Sequence, residues 1–293
     1  ESRCAVQNGT HGSEKRMVKR STHATANCSY STAALGAALL LGGVPAPSAA
    51  QVIVRSNLAQ ESTTAPGSTY TRAIVLYNEG DSSRTAEVSL RDYTFSADGT
   101  TRYDDPGALA RSNAPWIDYG GSTVTLPPEQ EVEVTYQVDV PAQVDGEPPT
   151  GTYWSMILVE PLNQPQGTAA QGLAVQQVRR YGIQVATHIR ETGTPDLSLL
   201  STDLQQANGG AVLSLSVENT GTRGVSPAAR VELYDASGAL VLTQDASRKR
   251  IYPGTSVRYR LDLAEADAGT YQALLVVQAD AGRPIGRQFT VEL

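Results

Sequence analysis

Histidine and cysteine, the side chains that most nucleophilic and zinc enzymes require, are nearly absent from this sequence. Both cysteines and two of the three histidines lie within the first 50 residues, so only His188 remains beyond them. A single histidine cannot form a Ser/His/Asp system, and no second ligand lies at a metal-binding spacing from it. His188 shares the polar parity of a predicted strand with Gln184. The pattern predicts a surface histidine and no catalytic residue.

Carboxylates are the remaining groups that could do acid/base chemistry or bind calcium. Asp92, Asp98, Asp104 and Asp105 cluster in the segment 92–121. Their spacing does not match a D-x-[DN]-x-[DN]-G loop, so solvated turn acids are the preferred interpretation. A glycosidase needs only two carboxylates, which leaves a carboxylate-dependent hydrolase open, but no pair stands out. The sequence predicts no enzyme, no metal site and no cofactor.

A predicted strand at 152–160 carries large apolar residues on both faces. Trp154, Met156 and Leu158 follow one another on the parity that ordinarily meets water, and we call them the outer strip. Contiguous exposed apolar side chains are typical of a docking surface. Cover by the 161–173 loop or by a second domain is the alternative for the tryptophan. We predict that the outer strip binds a partner protein and is only partly covered.

Two further features are candidates for contact with a ligand. Arg179 and Arg180 could hold a carboxylate bidentately, although paired arginines at the start of a strand are usually solvated. They complete the predicted partner-binding set. Trp116 could stack on a sugar ring, but we favour a core anchor because large aromatic side chains dominate sandwich cores.

The elements that must position these residues are strands. From Gln51 onward there is little helical periodicity, whereas period-2 alternation recurs, most clearly in the valines and tyrosine of 131–140. Turn signals such as "NEGD", "ADG" and "YPGT" separate the runs. Many short strands with such punctuation predict an all-β protein built from immunoglobulin-like β-sandwiches in tandem.

The sequence also contains an internal duplication. "AIVLYNEGD" and "GTYWSMILVE" return as "LSLSVENTGT" and "GTYQALLVVQ". The Gly-Thr-Tyr at 269–271 matches the tyrosine corner that opens the sixth strand of immunoglobulin-like domains. We predict sandwiches at 51–191 and 196–293, with the segment 92–121 inserted into the first.

The first 50 residues have the pattern of an export leader. Basic residues, an apolar stretch at 33–44 and small residues before Gln51 predict a signal peptide cleaved after Ala50, with Met17 as the start. The whole chain has a formal net charge of −7, and without the leader's five basic and two acidic residues it is −10. An acidic surface argues against nucleic acid as a partner. We expect a periplasmic, cell-surface or secreted protein with no transmembrane segment.

Several of these stretches carry a family resemblance. Through "RDYTFSADGTTRYDDPGALARSNAPWIDY", "GTYWSMILVE", "RRYGIQVATHI" and "RIYPGTSVR", the chain beyond the leader resembles a family of exported bacterial two-domain proteins. More distantly, its first domain resembles that of periplasmic pilus-assembly chaperones and the peptidoglycan-binding domain of WxL-interacting proteins. The resemblance implies a non-catalytic binding protein of the cell envelope.

The sequence departs from both relatives. WxL-interacting proteins end in a membrane helix, which is absent here. Pilus chaperones donate a strand with large alternating apolar residues, whereas the matching strand offers Gly182, Gln184, Ala186 and His188. We therefore expect a chaperone-like or adaptor protein whose partner is an exported or cell-surface protein. A glycan or peptidoglycan binding module is the alternative.

Overall fold

The computed structural model describes residues 52–162, 179–207 and 210–293. The predicted leader with its start at Met17 and its cleavage site after Ala50 lies outside the described residues, as does most of the 161–173 loop. Within the described ranges, no helix is long and apolar enough to cross a membrane.

Two antiparallel-rich sheets form the first sandwich, which we call domain one. Its strands are β1 (Val52–Val54), β2 (Ala59–Thr64), β3 (Thr69–Asn78), β4 (Arg84–Phe95), β5 (Thr101–Asp104), β6 (Ile117–Asp118), β7 (Thr123–Leu126), β8 (Glu131–Asp139), β9 (Thr152–Leu162) and β10 (Tyr181–Ile189). One sheet has the order β1-β3-β8-β6, and the other has the order β2-β10-β9-β4-β5 with β7 also paired to β4. Strand β2 runs parallel to β10, which places Glu61 opposite Ala186.

Seven strands form the second sandwich, domain two. They are β11 (Leu197–Ala207), β12 (Gly210–Asn219), β13 (Ala228–Tyr234), β14 (Leu240–Ala246), β15 (Ser256–Asp262), β16 (Thr270–Gln278) and β17 (Ile285–Glu292). The sheets have the orders β11-β12-β15 and β14-β13-β16-β17. The predicted all-β, immunoglobulin-like architecture is confirmed.

Alternation along the strands produces a separate apolar core in each sandwich. In β8, Val134, Tyr136 and Val138 are buried while the intervening residues are exposed, as the period-2 pattern predicts. Trp116 is half-buried against the core of domain one, and its ring centroid lies 4.6 Å from that of Tyr153. The core-anchor interpretation of Trp116 is confirmed.

The duplication is visible in the role of one asparagine in each domain. Asn78 ends β3 and Asn219 ends β12, and both are fully buried. Each amide donates to nearby backbone carbonyls, and each side-chain oxygen accepts the N–H of the glycine two residues later, Gly80 or Gly221. Because one side chain closes the turn after the strand in both halves, "YNEGD" and "ENTGT" are equivalent turns.

The inserted segment extends the hairpin of β4 and β5 and then crosses back to the core. Asp92 is fully buried: its Oδ2 accepts the N–H of Leu109 at 2.8 Å and its Oδ1 accepts the Ser112 hydroxyl at 2.6 Å. The prediction of a solvated turn acid is wrong for Asp92, because its carboxylate fixes this loop. Asp98 and Asp105 are exposed and Asp104 is half-buried.

A buried polar network surrounds Ser155, two residues after Tyr153 in β9. The Ser155 hydroxyl donates to Oδ1 of Asn113 at 2.6 Å. The Asn113 amide donates to the Val185 carbonyl at 3.2 Å and to Oγ1 of Thr187 at 3.0 Å. These bonds tie the inserted segment to β9 and β10 across the interior.

Candidate functional site

The outer strip of β9 meets domain two. Trp154 is 3% exposed, and its ring stacks on that of Tyr252 with centroids 5.0 Å apart and planes 14° apart. Its indole N–H donates to the Tyr93 carbonyl at 2.9 Å. The expected exposure of Trp154 is wrong, because the turn that carries Tyr252 covers it.

Met156, the second residue of the outer strip, is 7% exposed and packs in the same cluster. Gly182 on β10 pairs with Leu158, and a Cβ built at Gly182 would be 2.5 Å from the Met156 sulfur. The absence of a side chain at Gly182 thus gives room to Met156. The expected exposure of Met156 is wrong for the same reason as that of Trp154. Leu158, the third residue of the outer strip, is half-buried.

Beyond the covered tryptophan, the same sheet face forms a groove. Two cavities of about 400 and 540 Å³ share Tyr103 and Met156 in their walls, and we call them together the outer-face groove. The interdomain end is lined by Tyr93, Phe95, Lys249, Arg250 and Tyr252, and the sheet end by Glu87, Arg91, Leu158, Glu160 and Arg180. Tyr103 is 55% exposed. The groove combines an apolar floor with a charged rim.

The predicted arginine pair does not act as a pair in this structure. Arg180 lines the sheet end and forms an ion pair with Glu160, with 2.8 Å between Nε and Oε2. Arg179 is exposed and lies outside the set of groove-lining residues. The structure therefore brings Arg180 together with Met156 and Leu158. Partner binding by any member of the predicted set stays a prediction.

A second cleft, of about 270 Å³, surrounds His188 between the domains. Its Nδ1 is 2.8 Å from the Thr152 hydroxyl oxygen, and its Nε2 is 3.7 Å from Oε1 of Glu61. Glu61 also forms an ion pair with Arg250 of domain two. With a side chain only 15% exposed, His188 is not the surface residue that the alternation predicts. The alternation along the strand does not reveal this burial, because the residues that cover His188 lie more than thirty positions away in the sequence.

Three side chains in a row at this cleft have the types of a nucleophile, a base and an acid: Thr152, His188 and Glu61. Its geometry does not support nucleophilic attack, because Thr152 has no exposed surface and its Oγ1 already accepts the N–H of Gly224 at 2.8 Å. The polar contact with His188 and the ion pair with Arg250 together lower the pKa of the Glu61 carboxyl against an opposing effect of burial. These contacts join the two domains.

The joint between the domains is further fixed by backbone contacts. The N–H of Thr152 donates to the Thr222 carbonyl at 3.0 Å, and the N–H of Ala97 donates to the Ser256 hydroxyl at 2.9 Å. Gly151 has φ +75°, and a Cβ built there would be 2.0 Å from the Thr222 oxygen. This close approach requires glycine at position 151.

Metal ligands do not gather at either cleft. In the part of the chain that the structure describes, no group of three or more His, Cys, Asp or Glu residues could hold a metal ion.

Comparison with solved structures finds weak likenesses among pilus chaperones. The class 5 fimbriae chaperone CfaA is 9% identical over 81% of this chain and 98% of that chain, with a TM-score of 0.44. The Escherichia coli chaperone DraB is 16% identical over 83% of this chain and 98% of that chain, with a TM-score of 0.36. A chain of the Salmonella enterica SafA pilin–SafB chaperone complex is 11% identical over 83% and 96%, with a TM-score of 0.38. No protein-family model and no curated protein sequence matches the chain.

Proposed function

We propose that this chain is an exported, non-catalytic binding protein that holds a segment of another exported protein in the outer-face groove. The observation that carries the proposal is the floor of that groove. Met156 and Leu158 occupy strand positions that meet water in an ordinary two-layer sandwich, yet both are apolar. Met156 is 7% exposed, Leu158 is half-buried, and both line the groove. An apolar floor beside an open rim is typical of a protein-binding surface.

The contacts that join the two domains support this function. Stacking of Trp154 on Tyr252, the Glu61–Arg250 ion pair and the Thr152 backbone contact all cross between the domains. A groove whose walls come from both domains is then formed before the partner arrives, which reduces the entropy lost on binding. A chaperone-like or adaptor role toward the bound protein is the finer part of the proposal, and it rests on the sequence motifs.

The absence of catalysis is also part of the proposal. The histidine of the His188 cleft serves the joint, and the hydroxyl beside it is buried. Other chemistry would need a nucleophile, a metal site or a carboxylate pair with strongly perturbed pKa values in a cleft. Within the described ranges, the groove acids Glu87 and Glu160 lie on the rim, and Glu160 is paired with Arg180.

Site-specific photo-crosslinking in cells tests the proposal. A benzophenone amino acid replaces Tyr103 on the groove in one strain and Leu240 on domain two in another. These residues are 55% and 56% exposed, so a difference in crosslinking does not come from exposure. We expect a discrete adduct with another exported protein at position 103 only, identified by mass spectrometry. Equal adducts at both positions, or an adduct at position 240 alone, would move the partner surface away from the groove.

Tyr103 itself favours the glycan or peptidoglycan alternative. Among the described residues, it is the one aromatic side chain in the set of exposed large apolar residues, and it lies on a groove. Aromatic faces of this kind stack on sugar rings. Sedimentation with purified peptidoglycan tests this function: binding that Tyr103→Ala abolishes would favour the alternative, and an absence of binding would remove it.

A further inference from the structure

Two tyrosine hydroxyls at the interdomain end of the groove have no hydrogen-bond partner. Tyr93 from β4 and Tyr252 from domain two are each 1% exposed, and their rings meet edge to face with centroids 6.4 Å apart. In the part of the chain that the structure describes, neither hydroxyl oxygen has a partner at strict hydrogen-bond geometry, and the hydroxyl nearest in influence to each is that of the other tyrosine. A bond between the two hydroxyls uses only one of their two O–H donors, so at least one buried donor is left without an acceptor. Because such a donor costs folding free energy, we look for its acceptor outside the chain.

Both groups are fixed as donors. Burial is the largest influence on each and raises the pKa of both hydroxyls well above the usual value, and for Tyr252 it outweighs the opposing charge of Arg250. The hydroxyls therefore keep their protons throughout the physiological range. Each hydroxyl can therefore donate to an acceptor oxygen of a ligand.

The charges around the same cavity are positive. Lys249 and Arg250 line it, and none of its described lining residues is Asp or Glu, whereas the sheet end of the groove includes Glu87 and Glu160. Arg250 is paired with Glu61 behind the cavity wall. Lys249 donates to the Arg258 carbonyl, and no carboxylate of the described residues forms an ion pair with it. Lys249 is thus the lining cation that has no carboxylate partner among the described residues, and it is complementary to an anion.

We infer that the interdomain end of the outer-face groove receives an aspartate or glutamate side chain from the partner segment, whose carboxylate oxygens accept from Tyr93 and Tyr252 and pair with Lys249. The inference rests on the proposed function, because the cavity continues through Tyr103 and Met156 into the rest of the groove. A carboxylate has two acceptor oxygens for two hydroxyls, and such charge-assisted bonds are stronger than neutral ones. Both hydroxyls are covered in the unbound protein, so binding must shift the exposed wall side chains Tyr103 and Lys249.

Two blocked peptides test the inference on the whole protein. Each alternates valine and threonine, and the central residue is glutamate in one and glutamine in the other. Trp154 stacks on Tyr252, so its fluorescence reports occupancy. We expect the glutamate peptide to bind about tenfold more tightly, as for one strong polar contact. Equal binding of the two peptides, or binding of neither, would overturn the carboxylate assignment, whereas the adduct at position 103 tests the groove separately.

Conservative variants locate the carboxylate. Tyr252→Phe and Tyr93→Phe should each reduce the glutamate preference severalfold while raising the melting temperature, because each removes an unsatisfied hydroxyl and keeps the ring. Lys249→Gln, at an exposed position, should reduce the preference without affecting folding. Tyr234→Phe is the control, since its hydroxyl donates to Glu232 elsewhere in domain two. A preference that survives all three groove variants would place the carboxylate at another site.

Discussion

Strands β9 and β16 both begin at the Thr-Tyr of a Gly-Thr-Tyr repeat, but the surroundings of the two strands differ. In β16 the burial alternates: Tyr271, Ala273 and Leu275 are buried, and Gln272 is exposed. In β9 the first six residues, 152–157, are all buried. Both strands fill a core with one parity, but only β9 has a neighbouring domain on its other face. One copy of a duplicated strand can thus be buried on both faces once a second domain packs against it.

The two tyrosines of the repeat also differ in role. The Tyr271 hydroxyl donates to the Asp267 carbonyl at 2.9 Å, which confirms the predicted tyrosine corner in domain two. Tyr153 instead packs beside Trp116 and under the guanidinium of Arg111, 5.5 Å from its ring centroid. In domain one, the backbone around Gly151 contacts Thr222 of domain two. The segment that closes a corner in one domain builds the joint in the other.

The largest expected effect on stability comes from Trp154, because its outer-face position is the one at which β9 and β16 differ most. Trp154→Ala should destabilise the protein by roughly 3–5 kcal/mol, as for other buried tryptophans, because it removes the ring stacked on Tyr252. Gln272→Ala, at the equivalent position of β16, should stay within about 0.5 kcal/mol. Thermal unfolding followed by circular dichroism measures both. Similar melting temperatures for the two variants would show that the stack contributes little to the joint.

Glycine substitutions in the repeat should also separate the two strands. Gly151→Ala places a Cβ against the Thr222 carbonyl at a positive φ, and we expect a loss of about 2–3 kcal/mol. Gly269 lacks a positive φ, and a Cβ there would be 3.4 Å from the Tyr271 ring, so Gly269→Ala should cost less than about 1 kcal/mol. Urea unfolding gives both values. A larger loss at Gly269 would contradict the assignment of position 151 to the joint.

The local sequence pattern predicts part of this difference between β9 and β16. Alternation predicts the strands, and Gly-Thr-Tyr at 269–271 predicts the corner, because both depend on residues within a few positions of one another. The cover of Trp154 was not predictable in this way, since Tyr252 belongs to a "YPGT" turn about 100 positions later. His188 was misassigned for the same reason. A strand's own residues cannot show whether a second domain lies on its outer face.

A smaller effect on stability is expected at the core-facing position two residues after the tyrosine of each Gly-Thr-Tyr repeat. Ser155→Ala leaves Oδ1 of Asn113 buried without its 2.6 Å donor, and should cost about 1–2 kcal/mol. Ala273→Ser, at the matching position of β16, adds a hydroxyl to an apolar core and should cost a similar amount. Urea unfolding of both variants tests whether the two cores have opposite polarity at this position. Neutral behaviour of Ser155→Ala would mean that the network does not stabilise domain one.

The smallest effect concerns pH and the ion pairs of the two domains. The pKa of Glu61 is lowered in the folded protein, so its contribution to stability is present above the unfolded value, near 4.5, and is lost as the pH falls through the lower folded value. Because Glu61 is about one-third exposed, solvent screening limits this contribution to a modest one. Glu61→Gln should therefore be less stable than the wild type at neutral pH and lose less stability on acidification below pH 4.5. Asp245→Asn breaks the exposed pair with Arg230 within domain two and should change stability little at either pH. Melting temperatures at pH 7 and below pH 4 measure the difference, and parallel curves for wild type and Glu61→Gln would show that the carboxylate does not stabilise the joint.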